Sequence, residues 1–141
     1  MSDAIEQAEA SFGRWNTAFN ARDMEGMVAE MHFPHRRLSG DNEFQVWRTE
    51  ADFRTTRGEN VTASLAAQEW HHTATISIEA VQSTDSKVHL VINQSRRRAD
   101  DSEYNAFPTL WIFTKIDGRW GVQFRSSFLM DPNPPSGNVS E

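Results

Sequence analysis

The 141-residue chain contains no cysteine, which removes disulfide frameworks, thiolate nucleophiles and cysteine-ligated metal sites from consideration. Lysine is nearly missing as well: only Lys87 and Lys115 stand beside twelve arginines, and the formal net charge is −6. An acidic surface argues against nucleic acid as a partner, because neutralising phosphates needs positive faces. No apolar run approaches the roughly 20 residues of a membrane-spanning helix. The start, Met-Ser-Asp-Ala-Ile-Glu, lacks the basic and apolar parts of a signal peptide, so a cytoplasmic protein is expected. Internal repeats, glycine-rich phosphate loops, nucleotide fingerprints and Ser-His-Asp candidates are also missing. The length suits one domain, assigned to residues 1–130, followed by a Pro-rich flexible tail over 131–141.

What is present is concentrated near the end. The stretch Phe107–Phe128 holds six of the fifteen aromatic residues and places Asp117-Gly118 between two apolar runs. That dipeptide readily takes the positive φ angles of a tight hairpin turn. Trp111 and Phe113 alternate with Leu110, Ile112 and Ile116, so both faces of the first strand are apolar and both need a cover. On the N-terminal side, Ile5, Ala8, Phe12, Trp15 and Phe19 recur at steps of three and four and predict an amphipathic helix over 4–20. Asp23 caps a second, short helix carrying Met24, Met27, Val28 and Met31. His32 to Leu38 reads as a strand in which Pro34 implies an edge position or a bulge. Phe44–Trp47 is a further extended piece. Thr49 caps a third helix, about 50–57, which Gly58-Glu59-Asn60 is expected to end. Long strands follow over 69–83, 87–99, 104–116 and 119–129. In the first of these, Trp70, His72, Ala74, Ile76, Ile78 and Ala80 share one parity. Helices followed by long antiparallel strands predict an α+β fold in which a curved sheet wraps the first helix. The apolar residues left on the outer face suggest a homodimer.

This order resembles the nuclear transport factor 2-like superfamily, most closely its SnoaL-like branch. The resemblance rests on the helix ending Ala18-Phe19-Asn20-Ala21-Arg22-Asp23, the short Met27-Val28 helix, and the closing Trp111-Ile-Phe-Thr-Lys-Ile-Asp-Gly-Arg-Trp. It covers roughly residues 4–129. It implies a cone-shaped α+β barrel, an open-mouthed pocket between the first helix and the concave sheet face, and dimerisation through the sheet. It implies no single function, since this fold hosts isomerases, cyclases, dehydratases, epoxide hydrolases and non-catalytic binding modules.

The resemblance puts the strand from His32 at the pocket, where the isomerase branch carries a catalytic carboxylate. This sequence has no acid between Met31 and Ser39, and His35 and Arg37 are its candidates for catalysis there. The structural alternative is a locally bonded histidine and an arginine paired to a helix acid. Arg37, Arg96 and Arg125 would hold a carboxylate or phosphate if they converged. Arginines at strand ends are more often solvated, and Arg125 stands out because Val122, Phe124 and Phe128 surround it. Arg98-Ala99-Asp100 matches the arginine–aspartate spacing of the hydrolase branch. That chemistry, like the SnoaL-type cyclase, needs a late-strand aspartate, and 119–129 contains no acid. The histidines do not form a metal site: His71 and His72 face opposite ways, as do His32 and His35. Trp15, Phe19, Phe53, Trp70, His72, Trp111 and Arg125 are the expected pocket lining, first of all core and secondarily a surface for a flat, apolar or aromatic ligand, neutral or anionic. No metal or cofactor is expected. The leading expectation is small-molecule binding. Its alternatives are a cofactor-independent acid/base enzyme using a histidine, and a non-catalytic interaction domain.

Overall fold

The computed structural model describes residues 2–129, apart from the side chains of Ser2 and residues 56–64; the expected tail, 131–141, lies outside the described residues. Helix α1 spans Ser2–Asn20 and buries the stripe Ala8, Phe12, Trp15 and Phe19, with Ile5 half-buried. Arg22 takes a left-handed φ of 59° and turns the chain, and the Asp23 carboxylate accepts from the Gly26 amide at 3.1 Å to start α2, Met24–Val28. Strands β1 (Met31–Leu38) and β2 (Phe44–Trp47) precede α3 (Glu50–Ala67), whose N-cap Thr49 accepts from the Asp52 amide. Then come β3 (His72–Ser83), β4 (Lys87–Arg97), β5 (Glu103–Ile116) and β6 (Arg119–Ser127).

All six strands form one curved, open sheet in the order β2-β1-β6-β5-β4-β3. Every pairing is antiparallel except β1 with β6. The β5–β6 turn is made as the sequence suggests, with φ of 53° at Asp117 and 78° at Gly118. α1 lies across the concave face, where Val88, Leu90, Ile92, Trp111, Phe113 and Val122 are fully buried beneath it. No helix among the described residues is long and apolar enough to cross a membrane.

Two sequence expectations change, at α3 and β3, and a third is narrowed to one of its alternatives. Helix α3 does not stop at Gly58 but continues to Ala67, with Gln68 as C-cap. A glycine inside a helix costs about 1 kcal/mol, a penalty and not a stop. Leu65, buried in the core, anchors the extra turns. Of the two settings expected for Pro34, the bulge is observed and the edge is not: β1 lies between β2 and β6, and its pairing with β6 is interrupted between Met31 and Arg36, where Pro34 sits. In β3 a bulge between Thr75 and Ser77 switches the parity. Thr73 and Thr75 stand opposite the inward Arg96 and Gln94, and past the bulge Ile78 and Ala80 pack on the core while Ile76 is 58% exposed. The even run of apolar residues therefore does not share one face.

Candidate functional site

Two aromatic groups fill the concave side. Under α1, Trp15 stacks on Phe19 at 5.0 Å and meets Trp111 edge-on at 4.9 Å, and Phe19 continues to Trp70 at 5.2 Å. Under α3, Phe53 packs against Phe33 and Trp47, and the His35 ring lies 5.9 Å from Trp47. Of the expected lining, Trp15, Phe19, Trp70, Trp111 and Arg125 meet in the first group or against it, whereas Phe53 belongs to the second. His72 joins neither. Its Nε2 meets the exposed Asp101 carboxylate at 3.0 Å and its Nδ1 meets His71 Nδ1 at 2.9 Å. Hydrogen bonds from Arg97 and His72 hold Asp101 below the usual carboxylate range. Asp100 and Asp101 occupy the turn after β4, with Asp100 accepting from the Ser102 amide and hydroxyl.

The seam between β1 and β6 carries two histidines held in the same manner. His35 is fully buried, with Nδ1 at 3.1 Å from the Val122 carbonyl and Nε2 at 3.0 Å from Arg125 Nε. A carbonyl can only accept and a guanidinium can only donate, so Nδ1 carries the proton and Nε2 is the acceptor. The imidazole is neutral, and both nitrogens are committed. His32 repeats the arrangement with its nitrogens exchanged: Nε2–H donates to the Arg119 carbonyl at 2.9 Å, and Nδ1 accepts from Arg119 Nη2 at 3.1 Å. Gly121 lets the ring in, for a Cβ there would stand 3.0 Å from His32 Cδ2. The interruption at Pro34 turns both rings toward β6 despite their opposite sequence parity. No cluster of histidine, aspartate and glutamate among the described residues could hold a metal.

Arginines 37, 96 and 125 are all within 1% of complete burial, and no aspartate or glutamate is buried among the described residues. Arg37 and Arg125 are register partners on the parallel pair β1–β6. Arg37 Nη1 donates to Gln45 Oε1 at 3.2 Å, and the Arg125 guanidinium lies 5.4 Å from the Trp111 ring and 5.5 Å from Trp15. Arg96 stands apart on β4, 5.7 Å over the Phe107 ring. Its Nη1 donates to Gln68 Oε1 at 3.4 Å, and the Tyr104 hydroxyl donates to the same oxygen at 2.9 Å. Arg96 Nε and Nη2 have no hydrogen-bond partner, nor do Gln68 Nε2, either amide atom of Gln94, or Trp15 Nε1. The general expectation for strand-end arginines is solvation, and Arg96 departs from it by pointing to the concave side. Gly58-Glu59-Asn60 resembles a helix end, so the sequence carries little local sign of Gln68 as the C-cap of α3. Its signal was the apolar Leu65 one turn before it.

A separate surface groove of about 330 Å³ is lined by Gln7, Arg14, Glu30, Arg119 and Trp120 among others. Its charges are already spent on one another and on backbone: Arg14 grips Glu30, and Arg119 caps the Ala29 and Met31 carbonyls.

An N-terminal helix crossing the concave face of a curved, open six-stranded sheet is the architecture of the nuclear transport factor 2-like class. Residues 5–124 match the family described as NTF2-like protein (DUF6841), and the chain belongs to that family. No curated protein matches it. Among solved structures it is similar to an NTF2-like protein with a cystatin-like fold from Novosphingobium aromaticivorans, at TM-score 0.72 and 10% identity over 94% of this chain and 85% of that one. A cystatin-like protein of unknown function from Nostoc punctiforme gives TM-score 0.69 and 13% identity, covering 92% of both chains. A ketosteroid isomerase-like protein from Erwinia carotovora atroseptica gives TM-score 0.63 and 16% identity over 90% and 96%. At these identities the likeness concerns the fold alone.

Proposed function

We propose that this protein binds a small, flat, anionic organic molecule in the interior beneath α1 and α3. The observation that carries the reading is the gathering of buried polar atoms without hydrogen-bond partners on one side of the sheet: Trp15 Nε1, Gln68 Nε2, both amide atoms of Gln94, and Arg96 Nε and Nη2. Leaving one such group unmet costs about 1–3 kcal/mol, and more when it is charged. Several such groups on one side of the sheet call for a partner, and a bound ligand would supply it. The stacked Trp15–Phe19 pair and the tilted Trp70 beside it supply apolar walls for a flat body.

Binding is favoured over acid/base catalysis by His35 because that imidazole has no free nitrogen for a substrate proton. On the outer face, Leu110, Ile112 and Phe124 are only half covered by their own chain, which supports a second copy docking there. Sedimentation equilibrium tests that part, and a monomer at micromolar concentration would discard it.

The binding reading is tested by following the five tryptophan indole N–H signals by NMR during titration with benzoate and with neutral benzamide. The Trp15 signal is expected to shift in a saturable way, with a rise in melting temperature. Indole signals unmoved by either compound at millimolar concentration would sink the reading.

A further inference from the structure

The free edge of Arg96 identifies the ligand more closely, and this inference rests on the binding reading above. A guanidinium offers a planar carboxylate two parallel N–H groups, one on Nε and one on Nη2. The molecule uses that edge twice on its surface. Arg14 takes Glu30 with Nε at 2.9 Å and Nη2 at 3.1 Å, and Arg54 takes Glu25 with the same two nitrogens at 3.0 and 2.7 Å. Arg96 is the buried counterpart: its Nε and Nη2 are the two nitrogens without a hydrogen-bond partner, while Nη1 is tied to Gln68. Tyr104 steadies Gln68 by donating to the shared oxygen, and the Phe107 ring lies beneath the guanidinium. The edge is therefore held in place before any ligand arrives.

Gln94 sits two residues earlier on the same face of β4, 1% exposed, with its amide unmet as both donor and acceptor. An amide in that state recognises a neutral oxygen close to the anion. We infer that the ligand is an organic acid bearing a hydroxyl or carbonyl oxygen next to its carboxylate, with the carboxylate on the Nε–Nη2 edge of Arg96 and the neighbouring oxygen on Gln94. One fork carrying one charge fits a planar monoanion better than a tetrahedral phosphate dianion, which calls for more donors.

Calorimetric titration of wild type and variants with salicylate, benzoate and benzamide tests this. Wild type is expected to bind benzoate about tenfold or more tighter than benzamide, as a charge-assisted pair does over a neutral one, and salicylate tighter still. Arg96→Met is expected to abolish the benzoate-over-benzamide preference while benzamide binding survives. Gln94→Leu is expected to remove only the salicylate-over-benzoate advantage. Should Arg96→Met fail to fold, Arg96→Lys serves, since it keeps the charge but loses the fork and should still shrink the preference severalfold. A folded Arg96 variant that keeps the full preference overturns the assignment and leaves the binding reading standing. Binding of none of the three compounds by wild type overturns both.

Discussion

The β1–β6 seam and the inner end of β4 both bury cationic and amide-like groups, yet they treat them in opposite ways. At the seam, each nitrogen of His32 and His35 has a defined partner from β6, a carbonyl on one side and an arginine on the other. At β4, Arg96, Gln94 and Gln68 share one weak contact and leave five polar atoms unmet. A satisfied buried network fixes one structure, whereas an unsatisfied one lowers stability unless something else meets it. The two seam histidines are therefore read as structure and the β4 end as a receptor. Burial alone does not separate them, because His35 and Arg96 are both fully buried.

Mutations at the two places should differ in sign. His35→Ala removes two buried hydrogen bonds and strands the Val122 carbonyl and Arg125 Nε, so a loss of about 2–4 kcal/mol is expected in urea unfolding. Arg96→Met removes an uncompensated buried charge with a side chain of similar reach, and a gain of about 1 kcal/mol is expected. A loss at Arg96 as large as at His35 would erase the distinction. Tyr104→Phe takes one of two donors from Gln68 Oε1 and should cost about 0.5 kcal/mol, with the greater effect on ligand affinity.

The smallest effect is the pH response of the seam. Burial, ahead of the nearby Arg119 charge, holds the His32 imidazole below its usual value of 6.5. A depressed folded value means the unfolded chain takes up the proton more readily, so this contribution is complete above pH 6.5 and fades as the pH falls below it. Melting temperature should decline gently from pH 7 to 5.5, and His32→Gln should flatten the decline. His89, depressed by burial and then by Lys87, acts in the same window, so the wild-type minus His32→Gln difference is the informative quantity.

Much of the fold was legible from short-range pattern. The stripe through Phe12, Trp15 and Phe19, the Asp23 and Thr49 caps, and the Asp117-Gly118 turn each follow from a local rule, and each is observed. Legibility failed where one residue resets a period. The bulge after Thr75 exposes Ile76, and the interruption at Pro34 brings His32 and His35 to the same neighbour. Parity arguments cannot pass such points, because an extra residue reverses every side chain beyond it. Arg125 announced itself by apolar neighbours in sequence. Arg96, flanked by Arg97 and Arg98, admits two readings in the sequence, a cavity arginine and a solvated strand end, and the pairing of β4 with β3 and β5 shows it enclosed.

The parallel pairing of β1 with β6 also sets a timetable. The histidines on β1 wait for partners 87 to 90 residues later in the chain. During synthesis, α1 and β1 leave the ribosome long before the strand that completes their hydrogen bonding exists. Contacts so distant in sequence are slow to form, because the intervening loop must be closed first. Until β6 emerges, the Phe12, Trp15 and Phe19 stripe lacks Val122 beneath it, and the nascent chain presents part of that apolar surface to chaperones. Stalling translation within β6 should therefore leave a chain that is open to protease along its whole length.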